Sequence, residues 1–298
     1  MKKNVFKLIY RQLYCYFFAN SIIGKYPQIK AKDHRVNLFD YHPELENDKR
    51  YNNSRYNLGD YLGFVIVSFM LEKKGLTIES WVPHRRHLNT VGSNIFSSYQ
   101  RSTIWGSGVH HEPDTILKYL CYNPLRKLDV RAVRGPLSRN VLLRYGHKCP
   151  EIYGDPAILM PFIYQPHIKE INDLLVIPQY VTEKEFRADH PELKMVSMNT
   201  NDYETVINAI ASSKKVITSS LHAVILSDAY GVPSVLYRGL GKKVDFKYLD
   251  YYASTGRNNI HIAETFEEAC MLEPLPLPDL KPLQEGLLAS FPYDLWNK

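Results

Sequence analysis

The stretch from Lys215 to Tyr237, KVITSSLHAVILSDAYGVPSVLY, restricts the fold more than any other part of the chain. Lys215–Thr218 is a brief β-branched run that predicts a strand, and Thr218, Ser219 and Ser220 carry side chains suited to an N-cap. Leu221, Val224, Ile225 and the pair Asp228-Ala229 then recur at helical spacing, until Gly231-Val232-Pro233 ends the helix and starts a second strand. Strand, helix, strand in so short a span is the repeating unit of a parallel sheet. It puts His222 in the first turn of a helix that begins at the carboxyl end of a strand, the rim where open α/β sheets bind ligands. The free N–H groups of such a helix start also favour an anion. An imidazole there is more often a packing or capping residue than a catalyst, so its meaning depends on its neighbours.

The same alternation runs along the rest of the chain. A helix is expected from about Tyr61 to Lys73, strands at Thr77–Val82, Thr103–Trp105 and Leu128–Val133, and a helix from about Gly135 to Tyr145. Between Pro161 and Ile171 periodicity fades, which marks a boundary. Beyond it come strands at Leu174–Pro178 and Leu193–Met198, a helix at Tyr203–Ser212, the His222 unit, a helix at Phe246–Ala253 and a terminal helix at Leu283–Phe291. At 298 residues the chain suits two domains of about 150 residues each. The expectation is an α/β protein of two Rossmann-like domains, residues 1–165 and 166–298, facing a cleft, with the terminal helix returning to the first domain.

Composition narrows the partners. A formal charge of +6 favours an acidic ligand, yet Lys2-Lys3, Arg85-Arg86, Lys214-Lys215 and Lys242-Lys243 are scattered and form no nucleic-acid motif, so small anions are favoured over nucleic acid. Cys15, Cys121, Cys149 and Cys270 lack zinc spacing, and no cleavable signal is visible; reduced thiols in a cytosol fit best. The N-terminal 30 residues interleave Lys2, Lys3, Lys7 and Arg11 with Phe6, Tyr10, Tyr14, Phe17 and Phe18. That pattern is too interrupted to span a bilayer, and two readings stay open: a helix packed on the body of the protein, or one lying on an anionic membrane surface.

Several short constellations could carry chemistry. Asn57-Leu58-Gly59-Asp60 opens a helix, with Gly59 permitting close approach and Asp60 either capping the helix or offering a carboxylate to a hydroxyl. Gly106-Ser107-Gly108 follows a strand and would let a ligand reach backbone amides, though a plain turn also needs glycine. Arg134 stands at the entrance of a helix begun by Pro136, where a guanidinium would bind carboxylate or phosphate bidentately. Asp155, in Gly154-Asp155-Pro156-Ala157, could orient a cation or a sugar hydroxyl, though a carboxylate there more often serves only its turn. His110-His111-Glu112 is unsuited to metal, because adjacent residues rarely point at one ion.

The ordered set Asn57-x-Gly59-Asp60, Gly106-Ser107-Gly108, Arg131-Ala-Val-Arg134-Gly-Pro-Leu-Ser138, Gly154-Asp155-Pro156-Ala157 and Ser219-Ser220-Leu221-His222 resembles the polysaccharide pyruvyl transferases, over roughly residues 55 to 240. The resemblance implies a GT-B-like fold and transfer of pyruvate from phosphoenolpyruvate to a sugar of a bacterial exopolysaccharide or capsule repeat, giving a cyclic ketal. It implies catalytic roles for His222 and Arg134, with no cofactor or metal. Asn57, Gly59, Asp60, Gly106, Ser107, Gly108, Asp155, Ser219, Ser220, Leu221 and Arg238 would line the substrates. Many members carry arginine immediately before the Leu-His pair, where this chain has Ser220; Arg238, Lys242 and Lys243 are candidates for the missing cation. The acceptor could be lipid-linked, which would place the protein in the cytoplasm at the inner face of the membrane. The alternative of the same architecture is a nucleotide-sugar glycosyltransferase; a non-catalytic carbohydrate-binding protein is a further one.

Overall fold

The computed structural model describes residues 57–78, 87–95, 102–110, 128–168, 170–179, 183–238 and 246–296. The basic N-terminal segment, Lys242, Lys243, His111, Glu112 and most of the expected strand Thr77–Val82 lie outside them. The chain is α/β, with two small parallel sheets flanked by helices. The first half holds helix α1 (Leu58–Glu72), strands β1 (His87–Asn89), β2 (Ser102–Trp105) and β3 (Asp129–Ala132), and helix α2 (Pro136–Arg144). A three-ten helix, Pro156–Phe162, leads into the second half. There follow β4 (Asn172–Ile177), α3 (Glu183–Asp189), α4 (Tyr203–Ala211), β5 (Ser213–Thr218), α5 (Leu221–Ala229), β6 (Ser234–Leu236), α6 (Phe246–Ser254), α7 (Phe266–Met271) and α8 (Lys281–Ser290). The sheet orders are β1-β2-β3 and β4-β5-β6, parallel throughout.

Period-2 alternation explains how each sheet is buried on both faces. In β4, β5 and β6, Leu175, Ile177, Val216 and Leu236 face a core that also takes in Trp105 and Ala132 of the first sheet. Val176, Ile217 and Val235, the intervening residues, face a separate cluster with Phe186 and Ala269. Ile104 and Val130 likewise turn to their own cluster with Val141 and Leu142 of α2. One apolar core thus runs through both halves. The three-ten helix sits inside it, with Ala157–Met160 fully buried against α1, α5 and α8.

Long-range polar contacts reinforce that joint. The Leu58 N–H donates to the Met198 carbonyl at 2.9 Å. The Trp105 indole donates to the Leu287 carbonyl on α8 at 3.0 Å, and Arg131 bridges Asp129 to Asp294 near the C-terminus. Among the described residues no helix is long and apolar enough to cross a membrane.

Two local expectations change. Leu193–Met198 is no strand: a single bridge joins Met195 to Val176. Downstream, Ser197 and Asn199 bond to Glu183 and to each other, so side chains take the place of ladder partners. Helix α1 begins three residues early, because Asn57 Oδ1 accepts the Gly59 N–H at 3.1 Å and caps the helix; Asp60 lies inside the first turn.

Candidate functional site

The chemistry gathers at the carboxyl ends of four strands. Loop 90–95 leaves β1, Gly106-Ser107-Gly108 leaves β2, Val133-Arg134-Gly135 leaves β3, and Ser219-Ser220 leads from β5 into α5. Parallel sheets leave no strand beyond these ends, so side chains from both halves can meet there.

His222 projects from the first turn of α5 onto the start of α1. A Cβ on Gly59 would fall 1.8 Å from His222 Nδ1, 2.2 Å from Cε1 and 2.5 Å from Cγ. Those three lengths put the glycine over the ring face. Gly59 is therefore the space in which the imidazole lies, a role different from the ligand approach expected of it. His222 Nε2 is sealed from solvent and has no hydrogen-bond partner, with Asp155 Oδ2 4.0 Å away. Burial, followed by the positive charges of Lys247 and Arg134, pushes the imidazole pKa down to about 3. The ring is neutral at physiological pH in the unliganded site.

Arg134 is wholly buried, and its guanidinium lies where a Cβ on Gly108 would be, 2.3 Å from Cζ. Its donors are committed: Nε to Asp250 Oδ2 at 3.1 Å, the terminal nitrogens to Ser93 Oγ, the Val109 carbonyl and Asp250. Asp250, on α6, also accepts the Ser138 N–H at 2.9 Å and the Ser138 hydroxyl. The arginine therefore reaches the site as a fixed positive charge and as the clasp between α2 and α6. A bidentate grip on a ligand would require it to give up these partners.

Lys247, one turn before Tyr251 on α6, was missed by sequence reasoning. Its ammonium lies 4.7 Å from the Tyr248 ring centroid and has no carboxylate partner among the described residues. Burial and the nearby Arg134 charge lower its pKa to about 8. Tyr248 donates to the Ser219 carbonyl at 3.0 Å, and Tyr251 donates to Asp228 of α5 at 2.8 Å, so α6 is tied to the helix carrying His222. The signal was present in the sequence: Lys247 and Asp250 share a helical stripe with an aromatic residue, Tyr251, that is fully buried.

The remaining candidates fall into three groups. Asp155 is fully buried and accepts from Gly92 N–H at 3.3 Å and Ala157 N–H at 3.0 Å; burial raises its pKa to about 6. Asp60 Oδ1 and His222 Cε1 both flank Gly92, so the α1 carboxylate belongs to the same group. Ser107, Ser219 and Leu221 are framework. The Ser107 hydroxyl bonds Asn94 Oδ1 at 2.6 Å, Ser219 Oγ accepts the Gln179 N–H at 2.7 Å, and Leu221 is core. Gly106 turns the chain against Pro156. Ser220 is the N-cap residue of α5 but makes no side-chain cap, which leaves the N–H groups of that first turn without a protein acceptor from this residue. Arg238 pairs with Glu264 at 2.9 Å beside β6. Among the described residues no three His, Cys, Asp or Glu side chains group around a point that could hold a metal ion.

This arrangement is that of an α/β protein whose candidate site lies at its strand ends. The model of one family, polysaccharide pyruvyl transferase, matches residues 26–238. That span covers well over half of the chain and includes Asn57, Arg134, Asp155 and His222, and the chain belongs to this family. It is therefore a transferase of the class that moves pyruvyl groups onto polysaccharide. A protein of Acanthamoeba polyphaga mimivirus, L143, is similar at 26% identity over 212 residues, covering 67% of this chain and 71% of the viral protein.

Proposed function

We propose that the chain transfers pyruvate from phosphoenolpyruvate to a sugar of a surface polysaccharide repeat, leaving it as a cyclic ketal, within a two-lobed GT-B-like arrangement. The observation that carries this reading is the convergence of three groups. At the start of α5, His222 Nε2 has no hydrogen-bond partner, the half-buried Lys247 ammonium is near enough to lower the imidazole pKa, and Ser220 makes no side-chain cap. Phosphoenolpyruvate brings a carboxylate and a phosphate to meet the ammonium and the first-turn N–H groups of α5. Lys247 would supply the cation that Ser220 does not, a position held in the sequence reading by Arg238, Lys242 or Lys243.

The chemistry then follows from charge. The bound dianion offsets Lys247 and Arg134 and draws the His222 pKa back toward its ordinary value of about 6.5. In that range the ring can accept a proton from the attacking sugar hydroxyl and deliver one to the donor's methylene carbon. The hydroxyl oxygen bonds to the central carbon of the donor. A second hydroxyl then adds as the C–O bond to phosphate breaks, its proton leaving with phosphate.

Incubating the protein and acceptor glycan with radiolabelled phosphoenolpyruvate tests this: label should enter the glycan, and His222→Ala should abolish it while donor binding survives. Incorporation from a nucleotide sugar instead would replace the reading with glycosyl transfer. A lipid-linked acceptor at the inner membrane face would engage residues 1–30, so their deletion should remove any preference for lipid-linked over soluble acceptor. A preference that survives the deletion refutes that part.

A further inference from the structure

Of the roles the sequence leaves open for Asp155, the turn carboxylate is the one its surroundings suit: it has no exposure, and both oxygens are engaged by backbone N–H groups, Oδ1 by Ala157 and Oδ2 by Gly92. What remains in front of Oδ2 is His222 Nε2, 4.0 Å away, sealed from solvent and bonded to nothing. The two nitrogens have different surroundings: Nε2 is sealed and looks inward at a carboxylate, whereas Nδ1 lies under the Gly59 backbone at the start of α1, the ring atom nearest to it.

We infer that Asp155 is a positioning residue for His222: it holds the imidazole in the Nε2–H tautomer and so makes Nδ1 the nitrogen that exchanges protons with substrate. The inference rests on the pyruvyl-transfer reading only for which substrate Nδ1 meets. A carboxylate accepts and cannot donate, so a ring facing it keeps hydrogen on the near nitrogen. The opposite tautomer would set two lone pairs against each other in a site from which water is excluded. Of the charged groups around the ring, Lys247 from α6 and Arg134 from the β3–α2 junction disfavour a second proton, while the Asp60 carboxylate from α1, which flanks Cε1 across Gly92, opposes them. The imidazole is therefore held neutral with one defined acceptor until an anionic ligand arrives. Burial keeps Asp155 protonated up to about pH 6, so its hold on the tautomer is complete only above that range.

The test is 15N NMR of histidine-labelled protein at pH 8, with the His222 signals assigned by their loss in His222→Ala. The wild type, without any ligand, should show a protonated Nε2 and an unprotonated Nδ1. Asp155→Asn presents an amide N–H to one of three donors and should convert His222 to the Nδ1–H tautomer. It should lower kcat by about 10²–10⁴-fold while the donor KM changes less than threefold. A wild-type ring protonated at Nδ1 overturns the inference even if the variant fails to fold. So does an Asp155→Asn protein that keeps both the wild-type tautomer and kcat within threefold. The tautomer is read without substrate, so it stands or falls separately from the identity of the reaction.

Discussion

Replacing Gly59 by alanine adds one methyl group at the point where the account is most exposed. The new Cβ would lie 1.8 Å from His222 Nδ1, whereas an ordinary carbon–nitrogen contact is about 3.5 Å, so ring and backbone must separate by about 1.7 Å. Gly59 is in the first turn of α1, which Leu58 and Leu62 anchor in the core, so the ring must move. A displacement of about 1 Å from a productive geometry costs roughly 100-fold in rate. Gly59→Ala should therefore lower kcat by at least about 100-fold. Stability moves much less. Alanine favours the helix by about 1 kcal/mol over glycine, and overpacking opposes it by about 1–3 kcal/mol. The melting temperature should then fall by no more than about 8 °C, taking roughly 2–4 °C per kcal/mol. The internal control is Gly63→Ala, one turn along the same helix, where the added Cβ meets Thr90 Oγ1 at 2.6 Å and touches no histidine. It should cost stability and spare kcat. Phosphate release from phosphoenolpyruvate in the presence of acceptor glycan measures the rate, and calorimetry the stability. A Gly59→Ala protein with kcat within threefold of wild type refutes the reasoning that His222 is held by this contact.

Three further outcomes follow from the same contacts. Lys247→Met should raise the phosphoenolpyruvate Kd at least tenfold by calorimetric titration and raise the His222 pKa in the free protein, because a neighbouring positive charge is gone. Acid stability should depend on His222. Its folded pKa of about 3 lies below the unfolded value of about 6.5, so the unfolded chain binds the extra proton and stability falls as pH drops through that window. Asp155, raised to about 6, works in the opposite direction between pH 6 and about 4. Denaturant titrations should show His222→Gln losing less stability than wild type between pH 6.5 and 4, by as much as about 3 kcal/mol. Finally, Asp250→Asn leaves Arg134 buried without its counter-charge and should cost about 3–5 kcal/mol, whereas Arg134→Met with Asp250→Leu should cost clearly less. Equal losses would show that the pair is not what joins α2 to α6.

Much of the fold could be read locally. Helix α5 and strand β5 fall where the Ser-rich turn and Gly231-Val232-Pro233 put them, and α2 begins at Pro136 as its ring geometry demands. Short-range signals are strong there because caps, glycine and proline act through their own backbone. Pairing of Leu193–Met198 could not be read this way, since an apolar run does not say whether a neighbouring strand is free to receive it. The site was legible as a set of residues but not as a set of partnerships. Gly59 and Gly108 look like ligand-approach glycines in sequence, yet each makes room for a side chain from elsewhere, His222 and Arg134. Arg134 reads as a free cation until Asp250, 116 residues away, is seen to claim it. Loop 90–95 carries no motif, and its Gly92 N–H and Ser93 hydroxyl acquire meaning only beside Asp155 and Arg134.

The most direct test of pyruvyl transfer at the His222 site is mass spectrometry of polysaccharide repeat units after incubation with phosphoenolpyruvate and the protein. The account predicts that one sugar gains the mass of pyruvic acid less one water, with an equal release of phosphate, and that neither occurs with His222→Ala. A glycan that stays unmodified by phosphoenolpyruvate but gains a hexose from a nucleotide sugar, or a His222→Ala protein as active as wild type, would contradict it.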